Sequence, residues 1–170
     1  MTATPYVTQM SQDITIRPAT ADDVAALGRL GALLVQLHHD LDPKRFIPAT
    51  SQTEDRYGWF LGSQVKKSGV IVLVAVRAGK VVGYTYAGIE GVDYMALRGP
   101  AGALYDIVVD PEQRGQGIGR QLLTATLSAL KDRGAPRVVL STAQGNEAAQ
   151  HLFESAGFRR TMIEMTRELE

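Results

Sequence analysis

The stretch from Leu104 to Gly134 constrains this chain more than any other. It opens Leu104-Tyr105-Asp106-Ile107-Val108-Val109, a β-branched, largely apolar run that reads as a strand and is ended by Asp110-Pro111. A glycine-rich turn follows, Arg114-Gly115-Gln116-Gly117-Ile118-Gly119-Arg120. Beyond it Ile118, Leu122, Ala125 and Ala129, with Leu123, Leu127 and Leu130, lay a broad apolar stripe at helical spacing, closed by the basic last turn and cap glycine of Arg133-Gly134. Strand, glycine turn and helix in that order form a unit of an α/β domain. The turn is a candidate anion site. Glycine admits positive φ and close approach of a ligand. The first N–H groups of a helix lack internal partners, and the helix dipole favours negative charge there, so a pyrophosphate fits. Arg114 and Arg120 add positive charge at its two ends.

The spacing narrows the ligand. A dinucleotide fingerprint, G-x-G-x-x-G, needs its third glycine one position later than Gly119. A Walker loop needs Gly-Lys followed by Ser or Thr, and Gly119-Arg120-Gln121 does not supply it.

The remaining chain predicts the order β-α-α-β-β-β-α-β-α-β. Ile14 to Arg17 alternates as a short strand ended by Pro18, and Thr20 with Asp22-Asp23 caps a helix carrying Val24, Leu27, Leu30, Leu34 and Leu37. A second helix is expected over about residues 53–67. Val70 to Val76 is nearly all apolar, as a strand buried on both faces would be. It turns at Ala78-Gly79 into a hairpin partner, Val81 to Ile89, and the stretch from Glu90 to Gly102 reads as a loop. Arg137 to Ser141 is a strand, Asn146 to Ser155 a helix stopped by Gly157, and Phe158 to Leu169 is expected to supply one or two closing strands.

Composition removes several classes. Lys plus Arg and Asp plus Glu are both 18, which argues against a nucleic-acid module. The chain has no cysteine, so disulfides, thiolate metal sites and cysteine nucleophiles are excluded, and a cytoplasmic setting is expected. With 45% apolar residues in 170, one domain can bury a real core. No basic-then-apolar leader is seen, no apolar stretch is long enough to span a bilayer, and Met1 to Gln12 reads as a loose tail ahead of a domain over residues 13–170. His38-His39-Asp40 reads as a solvated helix end rather than a metal site, since adjacent ligands diverge there, and no metal is expected.

Arg114, Gly117 and Gly119 fill the fixed positions of the [Gln/Arg]-x-x-Gly-x-[Gly/Ala] pyrophosphate motif, and Asn146 to Phe158 resembles a second block, Asn-x-x-Ala-x-x-Leu-Tyr-x-x-x-Gly-Phe. With the Val109-Asp110-Pro111-Glu112 approach and the opening Ile14 to Ala19, the chain resembles the GNAT superfamily of acyl-CoA-dependent N-acetyltransferases from about Ile14 to Leu169. The resemblance implies a single α/β domain whose central mixed, mostly antiparallel sheet has flanking helices and a V-shaped opening between the fourth and fifth strands. It implies acetyl-CoA as cosubstrate and acetyl transfer to a primary amine, on a small molecule or a protein, by direct attack in a ternary complex. A homodimer is implied by the same analogy. Backbone groups of Ile107, Val108 and Val109 would bond the pantetheine arm, and N–H groups of Arg114, Gly115, Gln116, Gly117, Ile118, Gly119 and Arg120 the pyrophosphate. Asn146 would bond the pantetheine, or serve as an N-cap, or both.

Two positions depart from the family's chemistry. The tyrosine that protonates the leaving thiolate is Phe153 here, which has no proton to give and reads as core or cofactor-wall packing. The base position aligns with Tyr105, with Asp106 beside it; Asp106 is the better base by chemistry, but a hydrogen-bonded structural carboxylate is the favoured reading of it. Strand alternation directs these two to opposite faces, so only one is expected to meet the amine. The resemblance implies that the region of Tyr84, Tyr86, Glu90, Asp93 and Tyr94 faces the acceptor, with Asp93 read rather as part of a solvated loop. A degenerate, non-catalytic acyl-CoA sensor is the alternative reading.

Overall fold

The computed structural model describes residues 14–169. Its centre is one five-stranded sheet in the order β1-β2-β3-β4-β5: β1 Thr15–Pro18, β2 Val70–Arg77, β3 Lys80–Glu90, β4 Ala101–Val109 and β5 Val138–Leu140. The first four strands pair antiparallel and β5 lies parallel to β4. Helices α1 (Val24–Leu41) and α2 (Thr53–Gln64) precede β2; α3 (Ile118–Asp132) and α4 (Glu147–Ser155) flank β5 in sequence. The single domain and mixed, mostly antiparallel sheet follow the sequence reading.

β2 explains why its sequence is apolar without alternation. Ile71, Leu73 and Ala75 enter a core with Leu104, Ile118, Leu122, Leu130 and Phe153, while Val72 and Val74 enter a second core with Leu27, Leu30, Leu61, Tyr84 and Val108. The strand is buried on both faces because helices cover both.

Helix α1 is anchored at its start. Arg17 donates to both oxygens of Asp23 at 2.7 and 2.9 Å, and Asp23 Oδ2 accepts the Thr20 N–H at 2.8 Å. The guanidinium, opposed in part by burial, holds the Asp23 carboxyl down to about 2. Glycines then let α1 and α2 touch. A Cβ on Gly28 would stand 2.4 Å from the Glu54 carbonyl oxygen, and one on Gly31 would stand 2.1 Å from the Tyr57 ring. The ring of Tyr57 occupies the space that Gly31 leaves.

Two irregularities in β4 shape the site. It pairs with β5 only at Gly102↔Val138, Ala103↔Val139 and Leu104↔Leu140, then runs on to Val109 while β5 stops. That divergence is the V-shaped opening expected between the fourth and fifth strands. On its other side the register to β3 slips between Tyr86↔Asp106 and Ala87↔Leu104, so Tyr105 is the extra residue of a β-bulge.

The expected closing strands are not formed. Residues 158–169 carry no regular secondary structure and are exposed from Arg159 on. Phe158 packs against Phe153, ring centroids 5.9 Å apart, but the segment beyond it pairs with no strand among the described residues. Helix α2 ends at Gln64, three residues before the expected limit, and β4 begins at Ala101 inside the expected loop. The N-terminal tail reading, Met1 to Gln12, lies outside the described residues.

Candidate active site

The turn after β4 is built from backbone. Gly115 and Gly117 have φ of 74° and 78°, and Gly117 is the N-cap of α3. A Cβ on either would meet nothing within 4 Å, so glycine is required there by conformation, and the space in front of the turn is open. Gln121 is the residue whose N–H returns to the Gly117 carbonyl, at 3.1 Å. The N–H groups of Ile118, Gly119 and Arg120 precede it and have no acceptor within the helix. The Ile118 side chain is buried in the core and pins the helix start to the sheet. A Cβ on Gly119 would sit 3.4 Å from Leu152, ordinary contact, which fits a motif position that accepts alanine.

Side chains brace this turn. Arg77 at the end of β2 donates to Gln113 Oε1 at 2.8 Å and to Gln116 Oε1. Arg114 Nε donates to the Val109 carbonyl at 3.2 Å, and Arg120 to Ser155 Oγ at 2.7 Å, tying α3 to α4. Ile107, Val108 and Val109 lie past the point where β5 leaves, so their backbone on that side has no strand partner. The open N–H groups and this open edge fit the pyrophosphate and pantetheine of a CoA thioester. Asn146 caps α4, its Oδ1 accepting the Ala149 N–H at 3.2 Å; the cap uses the amide oxygen, and the Nδ2 donors are the groups a pantetheine bond requires. Phe153 is 6% exposed and packed in the core with Ile118 and Leu122, so core packing is one role it fills.

A cluster of polar and aromatic side chains lies on the face of β4 turned toward α1 and α2. Asp106 Oδ2 accepts the Tyr57 hydroxyl at 2.7 Å and the Tyr84 hydroxyl at 3.0 Å. Burial pushes the Asp106 carboxyl above the usual range, and the two hydroxyls and the nearby His38 offset part of that rise. Burial and the Asp106 charge push Tyr57 and Tyr84 well up. The Tyr105 hydroxyl donates to Glu90 Oε1 at 2.8 Å and is pushed up to about 12, by burial first and then by that bond. Arg98 neutralises Glu90 from 2.5 Å. Rings form a row from α2 to β4: Tyr57–Phe60 at 6.3 Å, Phe60–Tyr86 at 5.7 Å and Tyr86–Tyr105 at 4.8 Å between centroids.

The bulge overturns one expectation. Simple alternation would send Tyr105 and Asp106 to opposite faces. With an extra residue inserted between them and β3, both lie on the face of α1 and α2: Asp106 bonds Tyr84, which sits in that core, and Tyr105 stacks on Tyr86 two residues along β3. Tyr84 is fully buried and holds Asp106, whereas Tyr94 stands exposed at the tip of the β3–β4 connection. Asp93 accepts the N–H groups of Met95 and Ala96 at 2.9 and 3.0 Å, a turn-forming role. His38 and His39 each place Nδ1 2.9 Å from a backbone carbonyl, of Leu34 and Phe46 respectively. Among the described residues no group of three or more His, Cys, Asp or Glu side chains could hold a metal ion.

Sequence reasoning missed Tyr57 and Arg77. Tyr57 is 49 residues from Asp106, and nothing local marks it. The one signal was the pair Gly28 and Gly31 on α1, which marks a close helix contact, and Gly58 beside Tyr57 on the facing helix.

A strand that diverges from its parallel neighbour, running into a glycine turn with an open helix N-terminus, defines the class of acyl-CoA-dependent transferases. The acetyltransferase (GNAT) family model matches residues 34–158, and the chain belongs to that family. A mycothiol acetyltransferase of Thermobispora bispora is 42% identical over 96 residues, 54% of this chain and 31% of that protein. One from Kytococcus sedentarius is 29% identical over 160 residues, 92% of this chain and 49% of that protein. The chain spans about half or less of the length of these relatives. Among solved structures, a mutant BH1408 protein from Bacillus halodurans aligns with a TM-score of 0.77 at 23% identity, covering 92% of this chain and 99% of that one. An aminoglycoside N-acetyltransferase in complex with CoA aligns at a TM-score of 0.68 and 18% identity, covering 92% and 95%. At these identities the structures establish the shared fold.

Proposed function

We propose that the protein transfers an acetyl group from acetyl-CoA to a primary amine, by direct attack within a ternary complex. The observation that carries this reading is the succession, along β4 and into α3, of a buried carboxylate held by two hydroxyls, Asp106, then an unpaired strand edge, then free N–H groups at the helix start. Acetyl-CoA supplies an activated thioester. Backbone groups of Ile107, Val108 and Val109 and of the Arg114–Arg120 turn hold it, and the Asn146 amide adds a donor. Asp106 takes the proton that an attacking amine must lose, the amine's own pKa being about 10.4 in water. Tyr57 and Tyr84 hold its carboxylate in place, and Tyr105 lines the approach. A thiolate with a reference pKa of about 8.5 leaves readily near neutrality, so protonation by water suffices where Phe153 replaces an acid. Holding amine and thioester together supplies much of the rate.

The amine belongs to a small molecule in this reading, because the two groups of similar proteins named above are acetyltransferases of mycothiol and of aminoglycosides. A protein amine is the broader alternative. The buried Phe153 keeps a non-catalytic acyl-CoA sensor as a second reading. One assay separates them: incubation with acetyl-CoA and a panel of amino sugars, polyamines and peptides, with release of free CoA thiol followed directly. The protein has no thiol of its own, so the signal is the product alone. Thiol release dependent on an amine is expected; tight acetyl-CoA binding with no release across the panel would favour the sensor.

A further inference from the structure

The row of rings between α2 and β4 is not closed over by the fold. Tyr57 and Phe60 are three residues apart on α2 and share one face of it, Tyr84 and Tyr86 are two apart on β3, and the bulge turns Tyr105 to the same side. The inner hydroxyls, of Tyr57 and Tyr84, are engaged by Asp106. The outer rings are not covered: Phe60 is 39% exposed and Tyr105 44%, with the half-buried Tyr86 between them, 5.7 and 4.8 Å from each. Phe60, Tyr86 and Tyr105 thus form a platform open to solvent. Asp106 stands directly opposite Tyr86 in the register of β3 and β4, so the platform and the carboxylate are neighbours.

The polar groups around the platform are already in use. The Tyr105 hydroxyl donates to Glu90, and Glu90 and Asp93 both face the Arg98 guanidinium, at 2.5 and 3.8 Å. The Tyr86 hydroxyl is the platform's one free donor among the described residues. Asp106 is paired with no lysine or arginine among the described residues; beyond the tyrosines, His38 is the titratable side chain near it. An ammonium group carries three donors and no acceptor, which suits a carboxylate and the negative faces of aromatic rings. A polyhydroxylated body would lose its water against the rings and find a single donor in exchange. A second ammonium group would find Glu90 and Asp93 already facing a cation.

We propose that the acceptor is a monoamine with an aromatic body, its ring stacked on the platform of Phe60, Tyr86 and Tyr105 and its amine held at Asp106. This rests on Asp106 being the group that meets the amine, and it adds which amine. The three rings set specificity and take no part in the proton transfer. Contact between aromatic rings contributes beyond the area it buries, so the body of the acceptor, and not its charge alone, separates one amine from another.

Calorimetry with CoA present measures acceptor binding in a complex that cannot react. Phenethylamine and tryptamine are expected to bind, and to bind more tightly than propylamine, glucosamine or putrescine. With acetyl-CoA, thiol release per unit of neutral amine is expected to follow the same order. Phe60→Ala should raise KM for phenethylamine about tenfold, with kcat little altered, and should cut the preference for phenethylamine over propylamine by as much. Phe60→Leu keeps an apolar side chain on α2 and removes only the ring, and it should move that preference in the same direction. An unaltered CoA affinity in each variant checks that the fold is intact. Tighter binding of glucosamine or putrescine overturns the platform, as does a preference for phenethylamine that survives both Phe60 variants. Acetyl transfer to the sugar or the diamine would in that case leave the acetyltransferase reading standing. Phenethylamine binding that depends on Phe60, with no thiol released by any amine, would do the reverse: it supports the platform and removes the catalysis.

Discussion

The two sides of the opening are made of different material. The donor side is backbone: a glycine turn, a helix start and a strand edge without a partner, contributed by residues 107–120 in one continuous stretch. The proposed acceptor side is side chains: Tyr57 from α2, Tyr84 and Tyr86 from β3, Tyr105 and Asp106 from β4, assembled from positions as much as 49 residues apart. Backbone recognition asks only for a conformation, so it tolerates any side chain that permits the turn. Side-chain recognition asks for particular atoms at particular places. The donor is common to a family and the acceptor is not, and the two constructions match those two demands.

If the sides act independently, each can be damaged alone. Asp106→Asn has the largest expected effect. It keeps the shape and removes the proposed base, so kcat/KM should fall by about 10²–10⁴-fold, while the affinity for CoA measured by calorimetry stays unchanged. An active variant with an unaltered pH profile would leave Asp106 a purely structural carboxylate. Gly117→Val is the converse. The residue must hold a φ of 78°, which costs a β-branched residue at least about 1–2 kcal/mol. CoA should bind about tenfold more weakly, and the acid limb of the amine-dependent rate should not move. A shift of that limb would mean that the two sides are coupled.

The same division explains how much could be read in advance. The turn was legible because its chemistry lies in consecutive residues, and spacing alone separated it from nucleotide loops. The fold was legible from periodicity and from the apolar run of β2. The orientation of Tyr105 was not, because a bulge depends on how β3 and β4 pair, and a one-residue slip leaves no mark in β4's own sequence. Tyr57 was not, because its contact with Asp106 is set by the close approach of α1 and α2. The segment after Phe158 misled for another reason. Its residues favour a strand, but a strand is formed only where an edge receives it, and among the described residues none does.

Tyr57→Phe sharpens the acceptor side alone, with a smaller effect. The Tyr57 hydroxyl donates to Asp106 and favours its ionised form, so removing it raises a carboxyl that burial already holds high. The acid limb of kcat/KM should move to higher pH, with turnover on the plateau little changed. Stability moves in a defined sense as well. Between the unfolded carboxyl value of about 3.9 and the raised folded value, the folded protein binds more protons than the unfolded chain, so stability falls as pH rises through that window. In the variant the window extends further upward, and denaturant melts at several pH values measure it. A limb that moves to lower pH would place the titrating group elsewhere.

Phe153→Tyr should change turnover least, and it tests whether the donor side contributes any reacting side chain. Phe153 is packed among Ile118, Leu122 and Phe158, and the added hydroxyl would enter an apolar core. An unpartnered buried hydroxyl costs about 1–3 kcal/mol, and each kcal/mol lowers the melting temperature of a chain this size by about 2–4 °C. The expected variant is therefore less heat-stable and no faster. A rate tens of times higher, with CoA affinity unchanged, would show that this position reaches the leaving thiolate after all. The donor side would then supply a proton as well as a cradle, and the contrast between a backbone-built donor side and a side-chain-built acceptor side would fail at the reacting centre itself.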